Sequence, residues 1–180
     1  MRKGFVKVAF TAAILLMCPW LLCAQPYRQL TPGDFEAAPQ HGTSTIAYTH
    51  CSIGYQYTAQ RKNGYYLLNF EISLEIDRDQ SWIDRARITS ADMMAEILNH
   101  EQGHYIIAYF EQQELLRTVG KTRFGADYKE RAQEIFERIH SKYEQLTIDY
   151  DEDTGHSQNR TQQHSWDAYF LKRLKYMPPA

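Results

Sequence analysis

The sequence predicts an α+β fold: one domain in which a small antiparallel sheet packs on a long helix, with further helices C-terminal to it. Two observations carry this. Leu68, Phe70, Ile72, Leu74 and Ile76 alternate with Asn69, Glu71, Ser73, Glu75 and Asp77, the period of two that marks a strand with one buried face. Beyond residue 90 the spacing becomes helical, and Met94, Ile97, Leu98, His104, Tyr105 and Ala108 fall near one stripe. A chain of 180 residues is long enough for one sizeable core.

Residues 1–24 read as a secretory signal. Arg2, Lys3 and Lys7 form a positive start, an apolar run follows over residues 8–22, and Ala24 offers a small residue for cleavage. The run is too short for a confident membrane span. The mature domain is then 25–180, secreted or periplasmic, without lasting membrane association. Cleavage removes Cys18 and Cys23, so Cys51 stands alone, no internal disulfide forms, and a buried strand position is expected for it. Cleavage also takes the formal net charge from −2 to −5. A mildly acidic chain without a basic cluster excludes nucleic acid as a partner.

Residues 25–42 have no period, and Leu30 and Phe35 serve as anchors of an irregular entry segment. Residues 45–57, rich in Thr, Ile and Tyr, form a first strand. Asn63-Gly64 is a hairpin turn leading to the alternating strand. Thr89 and Asp92 fit a capping box for a helix over 90–119, with Gly120 as its stop. Asp127 and Glu130 start a second helix whose stripe is Ile135, Phe136, Ile139, Tyr143 and Leu146. A polar loop over 149–159 precedes a last helix carrying Trp166, Tyr169, Phe170 and Leu174.

The first long helix contains His100-Glu101-Gln102-Gly103-His104, an HExxH motif. Residues four apart share a helix face, so His100 and His104 can offer two imidazole nitrogens to one zinc ion. Glu101 is then placed as a general base toward a water that the metal activates. Apolar neighbours Ile97, Leu98, Ile106 and Ile107 put the motif near a core. A third protein ligand is required. The candidates are His156 in the loop, Glu130 or Glu134 on the second helix, and Asp151. His156, beside the flexible Gly155, ranks first. Tyr150 and His164 are candidates to stabilise the oxyanion or to support the ligands. His41, His50 and His140 read as surface or core residues, and the acidic run at 149–153 lacks the glycine and terminal glutamate of a calcium loop.

Several of these pieces resemble a family of bacterial secreted proteins of unknown function that is regarded, from its motif, as one of zinc-dependent proteases. The similarity runs from about Leu30 to Trp166. It includes Leu30-Thr31-Pro32-Gly33-Asp34-Phe35, residues 47–57, Ser81-Trp82, the motif itself, Tyr150-Asp151, Thr154, His156, Gln163 and Trp166. Two departures stand out: Tyr105-Ile106 where the family has Phe-Asp, and Ser157 where it often has Gly. The resemblance implies that His156 belongs to the site.

The expectation is a zincin-like domain that hydrolyses peptide bonds in a peptide or protein substrate. His100, His104 and His156 hold Zn²⁺ and Glu101 is the base. In zincins an edge strand above the motif helix pairs with the substrate backbone, and residues 68–77 are the candidate. The alternative is a non-catalytic, zinc-stabilised binding module of the bacterial envelope.

Overall fold

A computed structural model describes residues 27–40 and 42–177, so the signal segment and His41 lie outside the described residues. Four strands precede three helices: β1 (Ala47–Tyr48), β2 (Cys51–Lys62), β3 (Tyr65–Ile76), β4 (Trp82–Ile83), α1 (Ala91–Lys121), α2 (Tyr128–Thr154) and α3 (Arg160–Tyr176). The class is α+β, as expected. Among the described residues no helix is long and apolar enough to cross a membrane.

The sheet differs from the single unit expected. β2 and β3 form one long antiparallel hairpin, while β1 pairs with β4 in a separate two-stranded patch. The first strand thus breaks in two around Thr49 and His50. Ser81 explains the break: its hydroxyl accepts from the His50 backbone N–H at 2.9 Å and so satisfies a donor the sheet leaves out. The hairpin turn falls at Asn63-Gly64, with Lys62 facing Tyr65. Both turn residues have positive φ, 51° and 84°, as a type I′ turn requires. Along β3 the buried face is Phe70, Ile72 and Leu74.

Helix α1 runs through the centre. Its Ile107, Phe110 and Leu115 pack with Phe70 and Ile72 of β3, with Ile135, Ile139 and Tyr143 of α2, and with Phe170 of α3. Its other side, Ile97, Tyr105 and Ala108, meets Leu30, Phe35, Ala47, Leu74 and Ile83. Burying one such large side chain contributes roughly 1.5–3 kcal/mol. Leu30 and Phe35 are therefore anchors as the sequence indicates.

Three boundaries differ from the reading of the sequence. The N-cap of α1 is Ser90, whose hydroxyl accepts from Met93 N–H at 3.1 Å, rather than Thr89. Gly120 lies inside the helix, which ends at Lys121 with Thr122 as its C-cap. The polar segment 149–154 is helical, because α2 continues until Gly155 stops it in a left-handed conformation. Asp151 is accordingly a helix residue of the last turn and not a loop carboxylate.

Candidate metal centre

The motif lies in the middle of α1, where His100, Glu101, Gln102 and Gly103 are buried. The two motif imidazoles meet edge to face, with centroids 5.0 Å apart. The last turn of α2 crosses over them. Gly103 allows that approach: a Cβ there would collide with the Tyr150 phenol, so only glycine lets the second helix come this close.

Asp151 enters on the same turn. Its Oδ1 stands 3.2 Å from His100 Nε2, 3.2 Å from His104 Nε2 and 3.3 Å from His156 Nδ1. This oxygen is buried, yet none of the three approaches has the direction of a hydrogen bond. Burial alone would raise the Asp151 carboxyl; the His100 and His104 rings outweigh it and hold the carboxyl well below the usual carboxylate range. Burial would lower His104, and Asp151 and Glu101 outweigh it, so His104 sits above its ordinary value.

His100, His104 and Asp151 form a compact group with donor atoms within 4.8 Å of one another. Two imidazole nitrogens and a carboxylate oxygen are a donor set that suits a divalent ion such as zinc. His156 reaches the same Asp151 oxygen from the rim, with half of its side chain exposed. It follows Gly155 in a run of three left-handed residues with φ of 54°, 50° and 75°, a conformation that costs a non-glycine residue energy. The sharp turn is what directs His156 back over the end of α2.

Glu101 reaches the β1–β2 corner, and its charge also acts on His104. Its Oε2 accepts from the Thr49 hydroxyl at 2.5 Å, and it is 2 % exposed. Gln102 secures the entry segment: its Oε1 accepts from Leu30 N–H at 2.6 Å and its Nε2 donates to the Arg28 carbonyl at 3.2 Å.

Behind His100 lies a polar cluster. Tyr150 is fully buried, its ring stacks on His100 with centroids 4.8 Å apart, and its hydroxyl donates to the His100 carbonyl at 3.0 Å. Burial holds that phenol far above its ordinary value. Tyr150 therefore supports His100 from behind and has no open hydroxyl for an oxyanion. His164 is exposed on α3, in a groove with Ala95, Asn99 and Asp167. The helical glutamates are not brought to the site: Glu134 pairs with Arg131, and 17 residues of helix put it about 25 Å from Asp151. His50 and His140 each face a carboxylate, Asp77 and Glu111. Cys51 lies in β2 with its thiol pushed up to about 12 by burial, with Asp77 and Glu101 adding to the shift.

Nothing in the sequence marks Thr49, which touches Glu101, and Gln163 is named there only within the resemblance, without its contact to His100. Both lie far from the motif along the chain, and only the break between β1 and β2 and the turn before α3 bring them in.

No curated protein matches the chain, and no solved structure matches it. Residues 29–157, well over half of the chain, match the family model described as "Bacterial protein of unknown function (DUF922)". The match takes in the motif, Tyr150, Asp151 and His156 and stops short of Gln163 and Trp166. The chain belongs to this bacterial family of unknown function.

Proposed function

We propose that the protein is a zinc-dependent metallopeptidase of zincin-like architecture, acting outside the cytoplasm on peptide or protein substrates. The observation that carries this is the convergence of His100 Nε2 and His104 Nε2 on Asp151 Oδ1, with a buried glutamate between the two histidines in the motif. Zinc, when bound, supplies a Lewis acid that lowers the pKa of a water and polarises a carbonyl. His100, His104 and Asp151 would hold it. His156 is the alternative third ligand, favoured by its place 3.3 Å from the same oxygen.

Glu101 would accept a proton from the attacking water and return it to the leaving amine. The Thr49 hydroxyl, at 2.5 Å, fixes one of its carboxylate oxygens and leaves the other to the reaction. The entry segment and the β1–β4 patch pack against the N-terminal half of α1 and help to close that side of the motif. The long β2–β3 hairpin is the candidate platform for pairing with an extended substrate.

A second reading has one observation in its favour. His156 Nδ1 lies 3.3 Å from Asp151 Oδ1, at the edge of the three-donor group, and a fourth protein donor turned onto the ion would make a closed, structural zinc site. The protein would then be a zinc-stabilised binding module of the envelope. Glu101→Gln separates the two. In the peptidase it keeps its zinc and lowers cleavage of an unstructured protein about 10²–10⁴-fold. A zinc-loaded variant that cleaves like the wild type removes Glu101 from the mechanism. Wild type that carries zinc and cleaves none of a diverse peptide library favours the binding module.

A further inference from the structure

The groups facing His100 Nδ1 decide which of its nitrogens can reach a metal. Gln163 Oε1 lies 3.1 Å from Nδ1 and the Thr154 hydroxyl oxygen lies 3.4 Å from it. Thr154 spends its own proton on the Tyr150 carbonyl at 2.6 Å, so toward His100 it can only accept. Gln163 is 7 % exposed and Thr154 is fully buried, and no solvent is needed to complete the set.

The orientation of the Gln163 amide is fixed in turn. Its Nε2 donates to Asp167 Oδ1 at 2.9 Å and to the Tyr150 hydroxyl at 2.8 Å. An ionised carboxylate only accepts, so a flipped amide would set its oxygen against Asp167 and its NH₂ against His100. Asp167 is itself held by Asn99, whose Nδ2 donates to both carboxylate oxygens at 3.1 Å. Asn99 precedes His100 on α1, while Gln163 and Asp167 lie one turn apart on α3. The hydrogen-bond directions agree from end to end with this orientation of the amide.

We propose that Gln163 and Asp167 are positioning residues for His100: the relay from Asn99 through Asp167 and Gln163 keeps the His100 proton on Nδ1 and leaves Nε2 free for the metal. The relay gives α3 a role in the proposed zinc site although α3 supplies none of its ligands. Its importance for metal binding rests on the zinc reading above, while the position of the proton does not. A metal-ligating histidine that donates its other N–H to a fixed acceptor is held in tautomer and ring orientation, and losing such a partner typically weakens metal binding about 10–100-fold.

The test uses the full chain with ¹⁵N-labelled histidine, observed by NMR without and with zinc, and a zinc competition assay. Wild type should show a hydrogen-bonded His100 Nδ1–H in both states. Gln163→Met should lose that signal and bind zinc about 10–100-fold more weakly. Asp167→Ala, a change at a half-exposed site, should do the same to a smaller degree. The exchange pair Gln163→Glu with Asp167→Asn reverses the bond between the two side chains but keeps an acceptor facing His100 Nδ1, and should restore the Nδ1 proton and the zinc affinity. Phe170→Leu, a packing change on the same helix, should lower Tm and leave the Nδ1 proton in place. A wild-type His100 with its proton on Nε2, or Gln163→Met with unchanged Nδ1–H and unchanged zinc affinity, would overturn the relay. A wild type that takes up no zinc would instead overturn the metal reading, and the Nδ1 signal would still decide the relay.

Discussion

Gly103 and Tyr150 occupy the same space: a methyl group on the one would overlap the phenol of the other. Alanine normally stabilises a helix interior by about 1 kcal/mol relative to glycine. Here the sign should reverse. Gly103→Ala should cost about 1–3 kcal/mol, the usual penalty of overpacking, because Tyr150 is held by stacking on His100 and cannot retreat without breaking its bond to the His100 carbonyl. Chemical denaturation measures this, and a variant more stable than wild type would show that the two helices are not in this contact.

The donors around Asp151 can be ranked by zinc affinity. His100→Ala and His104→Ala should abolish uptake, since each removes one of the two imidazole ligands that α1 holds one turn apart. Asp151→Ala should weaken binding by more than His156→Ala, because Asp151 alone lies near both motif nitrogens and sits on a helix, while His156 is half exposed. Glu134→Ala should bind as wild type. Competition with a chromophoric chelator gives the order, and a His156→Ala loss exceeding that of Asp151→Ala would make His156 the third ligand.

Two glutamates one turn apart on α1 should respond to pH in opposite directions. Burial raises the Glu111 carboxyl, and the partly exposed His140 only partly offsets it. A raised carboxyl costs stability once ionised, so Glu111→Gln should stabilise the fold at neutral pH and lose that advantage as pH falls below the ordinary Glu value. Burial also opposes ionisation of Glu114, yet Lys142 and Tyr143 outweigh it and lower the group. Its contribution is present above the ordinary value and is lost as pH falls through the depressed one. Glu114→Gln should therefore destabilise at neutral pH and flatten the acid side of the stability curve. Tm from pH 3 to 8 for both variants checks the signs.

The strand signal of residues 68–76 and the turn at Asn63-Gly64 were legible because each is local: a period of two, and a dipeptide that tolerates positive φ. The motif was legible for the same reason, since i and i+4 on a helix share a face whatever surrounds them. The end of α2 was not. Asp149, Asp151, Glu152 and Asp153 look like a solvated loop in isolation, and only the packing of Tyr150 and Thr154 against His100 keeps that stretch helical. The separation of β1 from β2 was equally hidden, because it depends on Ser81, thirty-one positions from the N–H it receives. Gln163 and Thr49 meet the motif only once those two distant arrangements are in place.

The three left-handed residues at 155–157 act as a length gauge. They reverse the chain within a few residues, so the rotational setting of α3 against α1 is inherited from the exact number of residues in that connection. One added residue would turn α3 by about 100° about its axis if the helix kept its place, swinging Gln163 off His100 and Asp167 off Asn99 together. Length variation is therefore expected to be tolerated at the hairpin tip near Asn63 and not between Thr154 and Arg160, although both segments are short surface connections.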